Sequence, residues 1–320
     1  NTIIGYTAQP SSATVSNEIT LGNTTAGTLR IPPIQSGASS GDVMTYDGSK
    51  IVLSAPAATL IGKTDSASPF STFLGVGAGV NTTQVASVAV GYQALKDNIA
   101  GAYNTAVGFK SLWSNTNAWS NTAIGWQALM FNTTGGQNVA VGLNALGTST
   151  TASFNTAIGT TALELNTTGA SNVAVGYQAL KANTTGAGNV AIGDNALVAN
   201  TTAGSNIAIG KESMRSNLTA LDNQAIGNNA LGSLVSGNGY NIAIGTSTGY
   251  SITTGGNNTF AGRAAGYSTT TGSNNTLYGY VAGFSGTNNL TTGSNNIIIG
   301  ASAAASAATV SNEITLGNTT

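Results

Sequence analysis

The sequence predicts an all-β fold: a β-solenoid, or parallel β-roll, of 17-residue coils with a small β-rich insert. Three observations carry this. A motif Asn-x-Ala-(Val/Ile)-Gly recurs with its glycine at Gly91, Gly108, Gly125, Gly142, Gly159, Gly176, Gly193, Gly210 and Gly227, a constant step of 17. With small slips it continues through Gly245, Gly262, Gly279, Gly300 and Gly317 and reaches back to Gly75, while Gly5 and Gly22 are also 17 apart. The 43 Gly and 36 Asn among 320 residues favour turns over helix interiors. Finally, only 19 residues are charged, nine basic and ten acidic, far below the roughly one quarter typical of soluble domains.

Within a coil such as 172–188, the run Asn172-Val173-Ala174-Val175-Gly176 alternates large and small residues as a strand does, sending Val173 and Val175 to one face and Ala174 to the other. Asn183-Thr184-Thr185-Gly186 is a turn sequence. Each repeat is therefore expected to hold two short strands and their corners. One coil alone orders its backbone at roughly 1–2 kcal/mol per residue and buries too few side chains, at about 1.5–3 kcal/mol apiece, to offset that. Stacking supplies every strand with two neighbours. Fifteen coils about 4.8 Å apart give a rod on the order of 70 Å long.

The fixed positions acquire roles in such a stack. Leu95, Leu112, Leu129, Leu146, Leu163, Leu180, Leu197, Met214 and Leu231, four after the glycine, form the expected core ladder. Asn104, Asn121, Asn138, Asn155, Asn172, Asn189, Asn206 and Asn223, four before it, form a column of amides able to hydrogen-bond along the axis, continued by Asn241, Asn258 and Asn275. From Gly245 on, the spine becomes Gly249, Gly266 and Gly283, each followed by an aromatic (Tyr250, Tyr267, Phe284), so the rod changes subtype. The small-residue face (Ala106, Ala123, Ala140, Ala157, Ala174, Ala191, Ala208) is expected to meet parallel chains around a symmetry axis, with three copies, giving a homotrimer. The alternatives are a monomeric three-sided helix and alanine filling tight space inside one coil.

The organisation expected is terminal solenoid coils at 1–25, a β-rich connector module at 26–70 and the shaft at 71–320. In the connector, Pro32-Pro33 blocks a central strand, and Asp47-Gly48 between two alternating runs signals a hairpin. Residues 1–25 match 296–320 at 19 positions. This points to a longer polypeptide in which such a block recurs, or to head-to-tail filaments; alternatively, the run marks the end of any rod section. Nothing resembling a signal peptide precedes the first motif, and the expectation is a processed or truncated piece of something longer.

Strings such as Asn172-Val173-Ala174-Val175-Gly176-Tyr177-Gln178-Ala179-Leu180 and Ser311-Asn312-Glu313-Ile314-Thr315-Leu316-Gly317-Asn318 resemble the head repeats of trimeric autotransporter adhesins (YadA-like) and, more closely, repeats of phage tail-fibre proteins. The resemblance covers nearly the whole chain except about 26–70. It implies a trimeric, left-handed parallel β-roll displayed extracellularly, on a virion tail fibre or a cell-surface appendage, and binding host surfaces. The chain departs from the adhesin heads in its longer period.

Composition excludes several chemistries. Without His or Cys there are no disulfides, thiolates, His/Cys metal sites or nucleophile–His pairs, and neither cofactor nor metal is expected. With no basic surface, nucleic acid is not an expected partner. No apolar stretch is long enough for a membrane span. The acids Glu18, Asp42, Asp47, Asp65, Asp97, Glu164, Asp194, Glu212, Asp222 and Glu313 are scattered; Asp194 and Glu212, beside Lys211, are expected to form a surface ion pair rather than a catalytic couple.

Trp113, Trp119 and Trp126, near Tyr103 and Phe109, are candidate glycan contacts, with ring stacking that stiffens the rod as the alternative. Asn-Thr-Thr at Asn132, Asn166, Asn183, Asn200 and Asn318 matches the N-glycosylation pattern but falls where a turn demands Asn. The paired threonines raise an ice-binding surface. The reading adopted is a non-enzymatic extracellular fibre or filament shaft that self-associates and mediates host attachment, with a glycan- or ice-binding solenoid or a glycan-cleaving fibre as alternatives.

Overall fold

The computed structural model describes residues 71–317 apart from 83–85 and 287, together with the backbone of five strands nearer the N-terminus. Two compact units divide the chain, Asn1–Thr64 and Asp65–Thr320. In the first, β1 (Thr2–Ile4) pairs in parallel with β2 (Ile19–Leu21), and β2 pairs antiparallel with β3 (Leu29–Ile31). β4 (Val43–Tyr46) and β5 (Ile51–Ser54) pair antiparallel with Tyr46 opposite Ile51, flanking the Asp47-Gly48 step of the expected hairpin. Pro32-Pro33 lies outside the described residues.

The second unit is a β-solenoid. Its single sheet has 15 parallel strands, β6 (Thr72–Leu74) to β20 (Ile314–Leu316), each bonded to its neighbours in sequence with no crossover. The repeat fixes the register: Ala140 stands opposite Ala157, and Ala157 opposite Ala174. At about 4.8 Å per strand the unit extends roughly 65–70 Å. No helix among the described residues is long and apolar enough to cross a membrane.

Each coil holds one three-residue strand, not the two expected. The rest of the winding is still hydrogen-bonded coil to coil, as in Leu163 N–H to the Ala179 carbonyl (2.9 Å) and Thr167 N–H to Thr184 (2.9 Å). It cannot pleat because two or three non-glycine residues in a typical coil take left-handed backbone angles; in one coil these are Ser171 (φ 59°), Gln178 (φ 55°) and Leu180 (φ 53°). Each such residue costs about 1–2 kcal/mol. Bending the wall this sharply closes the winding in 17 residues.

The inside and outside of the strand are also the reverse of the size-based expectation. Ala89, Ala106, Ala123, Ala140, Ala157, Ala174, Ala191 and Ala208 are fully buried, while the flanking Val and Ile face outward, with Ile124 and Ile158 about 40% exposed. The core ladder Leu95, Leu112, Leu129, Leu146, Leu163, Leu180, Leu197, Met214 and Leu231 rises from the opposite wall and fills the same core. Across so thin a section, a leucine on one side leaves room for a methyl on the other. The alanines therefore fill space within one chain and are not available as a contact between chains.

The subtype change is a size exchange across that core. Where the spine becomes Gly249, Gly266 and Gly283, the residue packed against it from the alanine position is large: buried Phe260 lies against Gly249 and Gly266, and buried Leu277 against Gly283. A Cβ on Gly266 would lie 2.6 Å from the Phe260 ring, and one on Gly283 would lie 2.3 Å from Leu277.

The motif glycine is obligatory for two reasons. At Gly159 φ is +137°, and a Cβ there would stand 2.4 Å from the carbonyl oxygen of Gly176 in the next winding. Gly159→Ala is expected to destabilise the solenoid by at least about 3 kcal/mol, whereas Thr160→Ala on the exposed neighbour stays within about 0.5 kcal/mol; urea unfolding of both variants checks this.

Candidate functional site

Three features organise the surface and interior: amide ladders, aromatic columns and the last winding. The Asn ladder from Asn104 through Asn223 continues to Asn296, every member at most 1% exposed. Asn138 shows the pattern. The Asn121 Oδ1 accepts from its backbone N–H (2.9 Å) and from its Nδ2 (3.1 Å), and the same Nδ2 donates to the Ala152 carbonyl (2.9 Å). Buried amides are tolerated here because repetition places a partner at each one.

A second ladder escaped the sequence reading. Asn98, Asn115, Asn132, Asn166, Asn183, Asn200 and Asn217 are fully buried; Asn183 Nδ2 donates to Asn166 Oδ1 (2.8 Å) and to the Gly186 carbonyl (2.9 Å). These include the Asn-Thr-Thr asparagines, so in the folded chain Asn132, Asn166, Asn183 and Asn200 offer no amide to a glycosylating enzyme. Asn318 lies outside the described residues. The recurrence of Asn seven after the motif glycine was the available signal, absorbed into turn chemistry.

The paired threonines are likewise partly committed to the structure. Thr133, Thr167 and Thr184 each donate Oγ1 to the carbonyl of the corresponding threonine one winding on, at 3.0 Å.

At Ser149 the second ladder breaks. The Asn132 Oδ1 and Ser149 Oγ are both buried without a hydrogen-bond partner, because the serine is too short to span the winding. Ser149→Asn is expected to restore the amide contact and raise stability by about 1–2 kcal/mol in urea unfolding.

The rings form stacks rather than open platforms. Tyr92, Phe109 and Trp126 lie face to face at 5.3 and 4.1 Å, as do Tyr250 and Tyr267 at 5.3 Å, with Phe284 tilted by 33° against Tyr267 at 4.8 Å. Trp126 is half-exposed at its edge, but one face is covered by Phe109. Trp113 is half-buried beneath the Lys96 and Lys110 ammonium groups, at 5.4 and 5.1 Å from its ring. Trp119 is 52% exposed, as Trp126 is, and is tilted against Tyr103 at 6.1 Å. The structure therefore does not bring Trp113, Trp119 and Trp126 onto one ring-face surface.

The ion pairs include Glu164–Lys181 at 3.6 Å and Glu212–Arg215 at 3.0 Å, so the basic partner of Glu212 is Arg215 and not Lys211. Asp194 accepts from Asn195 Nδ2 at 2.6 Å, and among the described residues it forms no ion pair with Lys211. Among the described residues no group of three or more Asp and Glu is placed to hold a metal.

In the last winding the Asn-ladder position is held by Glu313. Its N–H donates to Asn296 Oδ1 (2.9 Å), as an asparagine's would, while its carboxylate turns back to accept from the Ser306 hydroxyl, the Ser306 N–H (3.0 Å) and the Thr315 hydroxyl (2.6 Å). The spine position is only Ala304 here, and a cavity of about 350 Å³ opens beside Glu313, bounded also by Ser285 and Asn288. No family model, characterised protein or solved structure matches the chain.

The Ser306 and Thr315 hydroxyls, with the Ser306 N–H, outweigh desolvation and hold the Glu313 carboxyl below its ordinary value of 4.5. A carboxylate depressed on folding stabilises fully above the unfolded value and loses that contribution as pH falls through the folded one. The thermal midpoint should therefore drop on acidification below about pH 4.5 more steeply in the parent chain than in Glu313→Gln, a difference that melting curves from pH 6 to 3 will read.

Proposed function

We propose that this chain is a non-enzymatic shaft of an extracellular fibre, three copies lying parallel and joined along the outward face of the sheet, which carries a host-attachment function. The observation behind this is the column just before the motif glycine. It reads Leu74, Val90, Val107, Ile124, Val141, Ile158, Val175, Ile192, Ile209, Ile226, Ile244, Ala261, Tyr278, Ile299 and Leu316, apolar in all 15 windings. The companion outward column, from Thr72 to Ile314, is uncharged throughout. A soluble monomer seldom leaves so long an apolar stripe to water.

A strip roughly 65 Å by 10 Å buries about 1,300 Å² between two copies, the size of a standard stable interface. A second copy has the same spacing between windings and so meets the stripe in step along its whole length. The named ion pairs are surface contacts, which fits a shaft better than a catalytic groove. Glycan contact at Trp119 and Tyr103 is the second reading, supported by their exposed, tilted rings.

Light scattering on the intact chain tests the assembly. The parent is expected at three times the chain mass, and Ile158→Lys with Ile192→Lys at the mass of one chain with an unchanged circular dichroism spectrum. A parent that remains a single chain at high micromolar concentration would overturn the proposal.

A further inference from the structure

The 36 asparagines differ in how the fold holds them. In the two ladders the amide is buried and committed, as when Asn183 Nδ2 donates to Asn166 Oδ1 and the Gly186 carbonyl. Asn238 is the opposite case. It is exposed, its side chain makes no hydrogen bond among the described residues, and it alone of the 36 is followed by glycine. The Asn238-Gly239 step lies at a corner of the winding from Gly227 to Gly245, which spans 18 residues where the windings on either side span 17. Two positive-φ glycines, Gly237 (φ 116°) and Gly239 (φ 70°), flank Asn238 and carry the chain around the extra residue.

The Gly239 N–H has no acceptor. In several windings the N–H six before the motif glycine is tied to a serine one winding on: Gly136 donates to Ser153 Oγ (3.0 Å), Gly256 to Ser273 Oγ (3.1 Å) and Ser273 to Ser294 Oγ (3.0 Å). One winding on from Gly239 stands Gly256, which has no hydroxyl, and no other described acceptor takes its place. A Cβ on Gly256 would lie 2.8 Å from the Cβ of Asn238, so the extra residue itself keeps a serine out.

We propose that Asn238-Gly239 is a site of spontaneous covalent modification in the folded rod, where an amide becomes an acid. The Gly239 nitrogen, its proton passed to hydroxide, attacks the side-chain carbonyl carbon Cγ of Asn238. A C–N bond closes a five-membered imide, and the Cγ–Nδ2 bond breaks with the side-chain nitrogen leaving as ammonia. Water then adds to one of the two imide carbonyls, the ring C–N bond opens there, and the nitrogen regains its proton. Opening at Cγ leaves aspartate; opening at the backbone carbonyl leaves an isoaspartyl link, with the chain running through Cβ and Cγ. One water is consumed, one ammonia is released, and nothing is oxidised or reduced.

The ladders are protected from the same reaction. The residue after each ladder asparagine in the strand motif is Thr, Val, Ile or Gln, with a side chain to crowd the ring, and its N–H is bonded to the next winding, as Thr156 N–H is to the Asn172 carbonyl and Val173 N–H to the Asn189 carbonyl, both at 2.8 Å. At Gly239 neither obstacle exists. The product adds a carboxylate to a chain with only 19 charged residues, and because the change is one-way it records the age of the molecule.

Incubation of the intact chain in mildly alkaline water enriched in heavy oxygen, followed by proteolysis and fragment mass spectrometry, tests this. Label is expected at Asn238 in both aspartyl and isoaspartyl forms, at least tenfold faster than at exposed Asn117 and Asn257. Asn238→Gln, whose longer side chain closes a ring poorly, is expected to lose the label at this position with an unchanged circular dichroism spectrum. Absence of label at Asn238, aspartyl product alone, equal label at Asn117, or label at buried Asn183 in step with it overturns the proposal. The last of these would place the reaction in unfolded chains.

Discussion

The governing constraint is the thinness of the winding. Seventeen residues enclose a section so narrow that only one wall contributes a full side chain at a given height, and the other must contribute a methyl. Leu163 facing the alanine column satisfies this, and so does the exchanged arrangement of Gly266 with Phe260. The strained backbone of the leucines follows, since a wall bent tightly enough to aim Leu180 inward passes through left-handed angles. The glycine column follows too, because each winding lies on the next closely enough for a neighbouring carbonyl to occupy the place of a Cβ.

A narrow interior also has to satisfy its polar groups without water. The asparagine amide suits this, having an acceptor and two donors, and the spacing of windings equals the reach between one amide and the next. One ladder runs beside the strand from Asn104 to Asn296, and a second occupies the far corner between Asn98 and Asn217. Stability in such a body is close to a sum over neighbouring windings, so a local defect like Ser149 is tolerated while leaving a measurable deficit.

Much of this was legible in the sequence. The period, the strand motif, the leucine spine and the Asn column beginning at Asn104 could all be seen because the repeats print them in register. Three things were not. The orientation of Val173, Ala174 and Val175 was inverted because larger residues are usually the inner ones, a rule that fails when the opposite wall already fills the space. The second strand was expected because nothing in the letters Gln178 or Leu180 announces a left-handed backbone, which tertiary closure imposes. The ladder through Asn183 was hidden because Asn followed by Thr-Thr-Gly also spells a turn, and only its burial distinguishes the two. Trp113, Trp119 and Trp126, close in sequence, were separated by the fold, since residues 113, 119 and 126 fall at different corners of the winding.

The ladders have a direction. Wherever a side-chain oxygen joins two windings of a ladder, it serves the one that comes later in the chain: Asn172 Oδ1 accepts from Asn189, not the reverse. A completed turn therefore offers acceptors at the height where the next turn must place its donors. Growth from the N-terminus meets a prepared surface at every step, so the molecule is suited to vectorial assembly as it leaves the ribosome. The two faces of any winding are chemically unlike, and the body as a whole is polar in the sense that a filament is.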